Sequence, residues 1–264
     1  MEKLPSLGRY FFAAAMVASG IQQLILADFV RLVPKLPAWI PWPSFWACFT
    51  GLILIVMGAA IAAQKKVRLA AVSTGILLLL LLVFLYVPQI ASNPKAGFMW
   101  TNPSKTLALL SGAILLAGIA PGTGPAAPAD ELSSPRKATT RLALLAAWFF
   151  GVFLFICGVQ HFIYAEFVDS LVPGWILPGR RFWTYFSGTA LIAGGAGLIL
   201  PKLARLAAIL SGVMIFLWVV LLHIPRALAD LHNAGETSAI FEALALSGVA
   251  FLVAGTLLKP TQTG

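Results

Sequence analysis

Apolar runs close to the length of a bilayer crossing recur along the whole chain, separated by short polar breakers. A helix needs roughly 20 predominantly apolar residues to cross a hydrocarbon core. Such runs cover residues 8–27, 44–63, 68–88 and 104–121, and then 142–162, 182–201, 204–224 and 239–258. Charged residues make up only 10% of the 264, against about 25% in soluble domains. Too little polar surface remains to cover a water-soluble globule of this size. The pattern predicts an all-α integral membrane protein with eight transmembrane helices, and the lipid bilayer as its first partner.

The formal charge of +9 does not indicate nucleic acid, because the basic residues sit in short clusters between apolar runs rather than along one exposed face. Clusters of that kind report topology. With the N-terminus inside, 11 of the 18 Lys and Arg residues fall on the inner side and 7 on the other. This bias predicts cytoplasmic N- and C-termini. Lys3 and Arg9 before an apolar run could be read as a signal peptide, but cleavage would remove the counterpart of the fifth span. Cys48 and Cys157 lie inside apolar runs with no metal-ligand spacing, so packing is the better reading of both.

The chain also repeats itself. "GIQQLILADFVRLVP" from Gly20 matches "GVQHFIYAEFVDSLVP" from Gly158. "SFWACFTG" from Ser44 matches "RFWTYFSG" from Arg181, "KKVRLAAVSTG" from Lys65 matches "KLARLAAILSG" from Lys202, and "YVPQ" from Tyr86 matches "HIPR" from His223. The offset stays near 137 residues, as a duplicated four-helix unit requires. The expected organisation is a first membrane unit at 1–121, a flexible cytoplasmic joint rich in Pro, Ala, Gly and Ser at 122–141, and a second membrane unit at 142–264. Four spans per unit is an even number, so the units form parallel four-helix bundles rather than inverted repeats.

The few polar residues then need explaining. Trp39, Trp42, Trp46, Trp175 and Trp183 cluster before the second and sixth spans, as interfacial anchors do. "GGAG" at residues 194–197 suits close helix approach. Gln22, Gln23 and Asp28 stand at the outer end of span one, and Gln160, His161 and Glu166 at the outer end of span five. In the second unit this layer can gather His161, Glu166, His223, Arg226 and Glu242. His161 and Glu166 are five apart and converge only if the helix ends between them. One reading of the layer is a polar cap that satisfies helix ends. The other is a site open to the outer face that binds a small molecule or quinone-like head group, or relays protons. No tight spacing supports a metal site. His232 and Glu236 read as solvated loop residues.

"GVQHFIYAEFVDSLVP" with "PGRRFW", "LPKLARLAA" and "LHIPR" resembles the DoxX-like membrane protein family, and the likeness covers nearly everything except the joint and tails. Gly158, His161, Phe167, Pro173, Arg205, His223, Pro225 and Arg226 stand at family-like positions, whereas the first unit has Gln23, Tyr86 and Gln89 at those of His161, His223 and Arg226. The resemblance implies two fused four-helix units in a bacterial inner membrane. Some relatives are linked to thiosulfate:quinone oxidoreduction or redox-stress complexes. It therefore implies a membrane subunit supporting quinone-linked redox chemistry with an oxidoreductase partner, and a quinone as cofactor. No catalytic signature defines the family, so whether the chain is an enzyme stays open. The alternatives are a small-molecule or lipid-binding protein or transporter, and a scaffold of a membrane complex.

Overall fold

The computed structural model describes residues 3–29, 36–37, 40–120 and 135–257, with side chains from 141 onward in the last stretch. The order is α1 (Lys3–Leu26), α2 (Pro43–Ala62), α3 (Val67–Leu81), a π-helical turn (Leu82–Tyr86), α4 (Val87–Ser92), a 3₁₀ turn (Gly97–Trp100) and α5 (Thr101–Ile119). Then follow α6 (Pro135–Ile163), α7 (Ala165–Leu171), α8 (Arg180–Ile199), α9 (Ala204–Trp218), a second π-helical turn (Val219–His223), α10 (Ile224–Ala229) and α11 (Ala234–Thr256). No strand occurs among the described residues. Trp39 and most of the expected joint lie outside them, and α6 already begins at Pro135.

Six helical stretches are long and apolar enough to cross a membrane, where the sequence reading expects eight: Pro43–Ala62, Val67–Ser92, Arg141–Ile163, Arg180–Ile199, Ala204–Ala229 and Ala234–Thr256. The other two long helices, α1 with 24 residues and α5 with 19, carry more polar side chains. Gln22 and Gln23 lie near the end of α1, and Thr101, Asn102, Ser104 and Lys105 open α5. Most of these groups find partners inside the bundle.

Two span ends also differ from expectation. The sequence reading stops the third and seventh spans near Pro88 and Pro225, but each helix runs on, to Ser92 and to Ala229. Proline lacks an N–H and clashes with the carbonyl four residues earlier, here Phe84 and Leu221. Widening one turn to π geometry accommodates the ring without ending the helix, and both π turns fall immediately before these prolines.

The long helices form a ring of neighbours in which the halves interlock. α1 packs on α2 and α11; α5 packs on α3 and α6; α6 packs on α8, and α9 on α8 and α11. α5 and α11 also meet across the middle. The fourth long helix of each half thus packs on the first helix of the other half. Glycines permit the closest crossings. A Cβ on Gly8 would lie 2.5 Å from the Gly248 carbonyl oxygen, and one on Gly248 2.7 Å from that of Gly8. Gly51 meets Gly20 at 2.9 Å in the same sense, and Gly158 meets Gly188 at 2.8 Å. Within "GGAG", Gly195 would strike the Gly151 oxygen at 2.7 Å, which is the close approach the sequence suggests.

Both ends of the bundle are marked. At one end Arg205 Nε donates to the Ala254 carbonyl near the end of α11 (3.2 Å). At the opposite end, Trp46 Nε1 donates to Pro41 O (3.1 Å) and Trp183 Nε1 to Leu177 O (2.9 Å). Each meets a stacked phenylalanine pair edge-on, Trp46 against Phe45 and Phe49, and Trp183 against Phe182 and Phe186. An apolar ring with a satisfied indole N–H suits a membrane–water boundary.

Candidate functional site

Two glutamines lock the halves together near the tryptophan end. Gln22 Nε2 donates to Ala234 O (2.8 Å) and its Oε1 accepts from Ser238 Oγ (2.9 Å), joining α1 to the start of α11. Gln160 does the same to the first half: its Nε2 donates to Gly97 O (2.7 Å) and its Oε1 accepts from Thr101 Oγ1 (2.9 Å). The partners correspond at the repeat offset, Ala234 to Gly97 and Ser238 to Thr101. Interhelical hydrogen bonds in membranes average about 0.6 kcal/mol and reach about 1.7 kcal/mol. Gln22→Ala and Gln160→Ala should each cost about 1 kcal/mol, and the double change about the sum. Thermal unfolding in lipid nanodiscs measures this; a neutral double variant would show that the glutamines do not hold the halves.

Beside Gln22, α1, α2, α3, α5 and α11 border a partly open cavity of about 90 Å³. Its walls are mainly apolar, with Phe12, Met16, Leu54, Leu78 and Phe241 among them. Its polar groups come from all sides. Gln23 is 7% exposed and its Oε1 accepts from Thr50 Oγ1 (3.1 Å). Thr74 spends its hydroxyl on Ala70 O (2.9 Å). Glu242, from α11, is 8% exposed. Its Oε2 lies 2.7 Å from Lys105 Nζ of α5, while its Oε1 is buried with no hydrogen-bond partner. Lys105 and Glu242 stand 137 residues apart, so one repeat position carries opposite charges in the two halves and faces itself across the centre.

The second half does not offer the same packing around the corresponding place. Ala15 and Leu81 line the cavity, and their counterparts by the repeat are Phe153 and Trp218. Phe153 is buried against Phe150, and Trp218 stacks on His161 with ring centroids 6.2 Å apart. At these two positions the second half carries the larger side chain. A wider crevice of about 570 Å³ lies beside Tyr86, Gln89 and Asn102, and no charged residue among those described lines it.

Of the five residues expected in one polar layer, several have partners of their own. His161 Nδ1 donates to Cys157 O (2.7 Å), four residues earlier on its own helix. The helix does end between His161 and Glu166, at Tyr164, yet Glu166 is exposed in the first turn of α7. His223 closes the second π turn. Arg226 makes a two-pronged pair with Glu236, Nη2 to Oε1 at 2.5 Å and Nε to Oε2 at 2.9 Å, so Glu236 is not the solvated loop residue the sequence suggests. Glu242 turns to Lys105 and the first-half cavity. A further ion pair, Arg181–Asp169 (2.8 Å), ties α8 to α7. Thr50, Thr74, Ala15 and Leu81 escape the sequence reading, because a threonine or an alanine in an apolar run carries no signal of the space beside it. The sequence reading also misses Lys105, although the repeat offset sets it at the position of Glu242 with the charge reversed. Among the described residues, no group of three His, Cys, Asp or Glu side chains could hold a metal ion.

A family model described as a domain of unknown function, DUF8561, matches residues 150–258. That stretch runs from within α6 to just past the end of α11 and includes Glu242, but none of the cavity residues of α1 to α3. Neither the curated proteins nor the solved structures contain a match to the chain.

Proposed function

We propose that this chain is an eight-span membrane protein, two parallel four-helix repeats interlocked through their fourth helices, that binds a small ligand in the first-half cavity. The observation that carries the binding reading is the space of about 90 Å³ among five helices, mainly apolar but with Gln22, Gln23, Thr50, Ser238 and Glu242 around it. Mainly apolar spaces with a few convergent polar groups are where small ligands bind. Support for the repeat comes from paired π turns, paired glutamine locks and paired glycine crossings at one offset. α1 and α5 complete the eight spans, their polar ends lying at the tryptophan end or sharing bonds with neighbours. The excess of Lys and Arg at the other end, together with the DoxX-like motifs, favours a bacterial inner membrane with that end cytoplasmic. The redox form of this reading adds a quinone and an oxidoreductase partner.

Native mass spectrometry of the protein released from lipid nanodiscs tests the binding reading. Wild type should carry a small ligand, and the double substitution Ala15→Phe with Leu81→Trp, which installs the second half's residues, should remove it. Equal ligand masses in both proteins would place any ligand elsewhere. Topology is tested separately. Lys65→Cys and Lys202→Cys, both exposed, should react with a membrane-impermeant maleimide from one face, and Asn93→Cys and His232→Cys from the other. Labelling of residues 65 and 202 from opposite faces would rule out the parallel repeat.

A further inference from the structure

The end of the bundle marked by Arg205 gathers cations from both halves. There the N-terminal ends of α1 and α6 meet the C-terminal ends of their neighbours: Gly255 of α11 faces Pro5, Gly58 of α2 faces Ala13, Gly118 of α5 faces Leu142 and Gly195 of α8 faces Gly151. The short links from α2 to α3 and from α8 to α9 therefore turn at this end. Lys3, Lys65, Lys66, Arg68, Arg141 and Lys202 are exposed here. Every Asp and Glu among the described residues lies towards the tryptophan end. The ion pairs among the described residues, Lys105–Glu242, Arg181–Asp169 and Arg226–Glu236, lie towards that end as well, so none of these acids neutralises the six cations.

The repeat keeps this arrangement and changes the other. Lys3, Lys65 and Arg68 correspond to Arg141, Lys202 and Arg205, whereas towards the tryptophan end Gln89 corresponds to Arg226 and Lys105 to Glu242. All six of the repeated cations stand at or within about one turn of the end of a helix, the depth at which both halves meet lipid head groups. Exposed leucines accompany them. Leu69 follows Arg68 and is 60% exposed, and its counterpart Leu206 follows Arg205 and is 54% exposed. A soluble polyanion would leave these side chains in water, but a phospholipid brings a phosphate to the cation and acyl carbon to the leucine. We infer that this end is a collar for anionic phospholipid head groups, with one set of cations in each half. A net negative head group is attracted by every cation near the surface, whereas the charges of a zwitterionic one cancel. The inference goes beyond the cavity reading and does not depend on it.

Native mass spectrometry of the full-length protein, released from nanodiscs of phosphatidylglycerol and phosphatidylcholine in equal amounts, tests it. Wild type should retain phosphatidylglycerol over phosphatidylcholine by about tenfold. Lys65→Gln with Arg68→Gln, and separately Arg141→Gln with Lys202→Gln, should each lose about half of the retained phosphatidylglycerol. The four changes together should bring the retained lipid to the bulk ratio. Arg205 stays in place, because its Nε holds the Ala254 carbonyl. The substituted side chains are exposed, so the unfolding temperature should not move and loss of lipid cannot be laid to loss of fold. Lys95→Gln with Arg180→Gln, which removes exposed cations at the tryptophan end, should leave retention as in wild type. Soluble polyphosphate at an equal concentration of charge should not displace the lipid; displacement would assign the collar to a soluble polyanion and overturn the inference. Equal retention of the two lipids by wild type, or a preference that the fourfold variant keeps, would overturn it as well.

Discussion

Glu242→Lys should leave the chain unable to hold its two halves together, and restoring the opposite charge across the centre should restore them. The substitution sets two ammonium groups where a carboxylate now meets Lys105 at 2.7 Å, with the Glu242 side chain 8% exposed and that of Lys105 18%. Removing one member of a buried pair typically costs about 3–5 kcal/mol, because the survivor stays buried and uncompensated. Reversing the sign should cost at least that. Lys105→Glu should be as damaging. The swap Lys105→Glu with Glu242→Lys should recover most of the loss, since the two positions face each other from equivalent places on α5 and α11. Thermal unfolding in nanodiscs, with the two singles and the swap compared as a cycle, measures the coupling. A swap as unstable as either single would mean that the charges act through other neighbours.

Gly248→Leu should separate α1 from α11. The added Cβ would lie 2.7 Å from the Gly8 carbonyl oxygen and 2.8 Å from the Phe12 backbone nitrogen, and neither atom can swing aside as a side chain does. Overpacking commonly costs about 1–3 kcal/mol, and a clash with backbone across the extensive α1–α11 contact should reach the upper end, about 3 kcal/mol. Gly75→Ala is the control. Its Cβ would meet only side chains, the nearest Leu110 Cδ1 at 3.6 Å, so the change should be neutral or should gain up to about 1 kcal/mol of helix propensity. The rank order of unfolding temperatures decides the matter. If Gly248→Leu unfolds with wild type, the crossing at Gly8 is not what holds α1 to α11.

Much of the architecture was legible before any coordinates, and for identifiable reasons. Apolar length and scarce charge require helices in a bilayer, because a backbone in hydrocarbon must satisfy its own hydrogen bonds. An offset of 137 to 138 residues places Gly158 against Gly20 and His223 against Tyr86, and the helices and π turns recur at that spacing. Pro88 and Pro225 misled the reading of span ends, since a proline fixes the loss of one hydrogen bond but not whether a π turn absorbs it.

The polar residues were visible as residues and illegible as partners. Arg226 could have met Glu166 or Glu236, and it meets Glu236. Glu242 was grouped with the second half because it lies there in sequence, yet it lines a cavity made largely by α1 and α3. The sequence by itself determined a helical, lipid-embedded chain written twice, with glycines where helices must touch and ionisable groups gathered near span ends. Only the tertiary structure decided that each half's fourth helix packs on the other half, that Lys105 answers Glu242, and that Ala15 and Leu81 leave space where Phe153 and Trp218 are the larger counterparts. The physical reason is that periodicity and hydropathy are sums along one helix. A cavity or a buried ion pair is a difference between side chains on several helices, and its sign appears only once they are brought together.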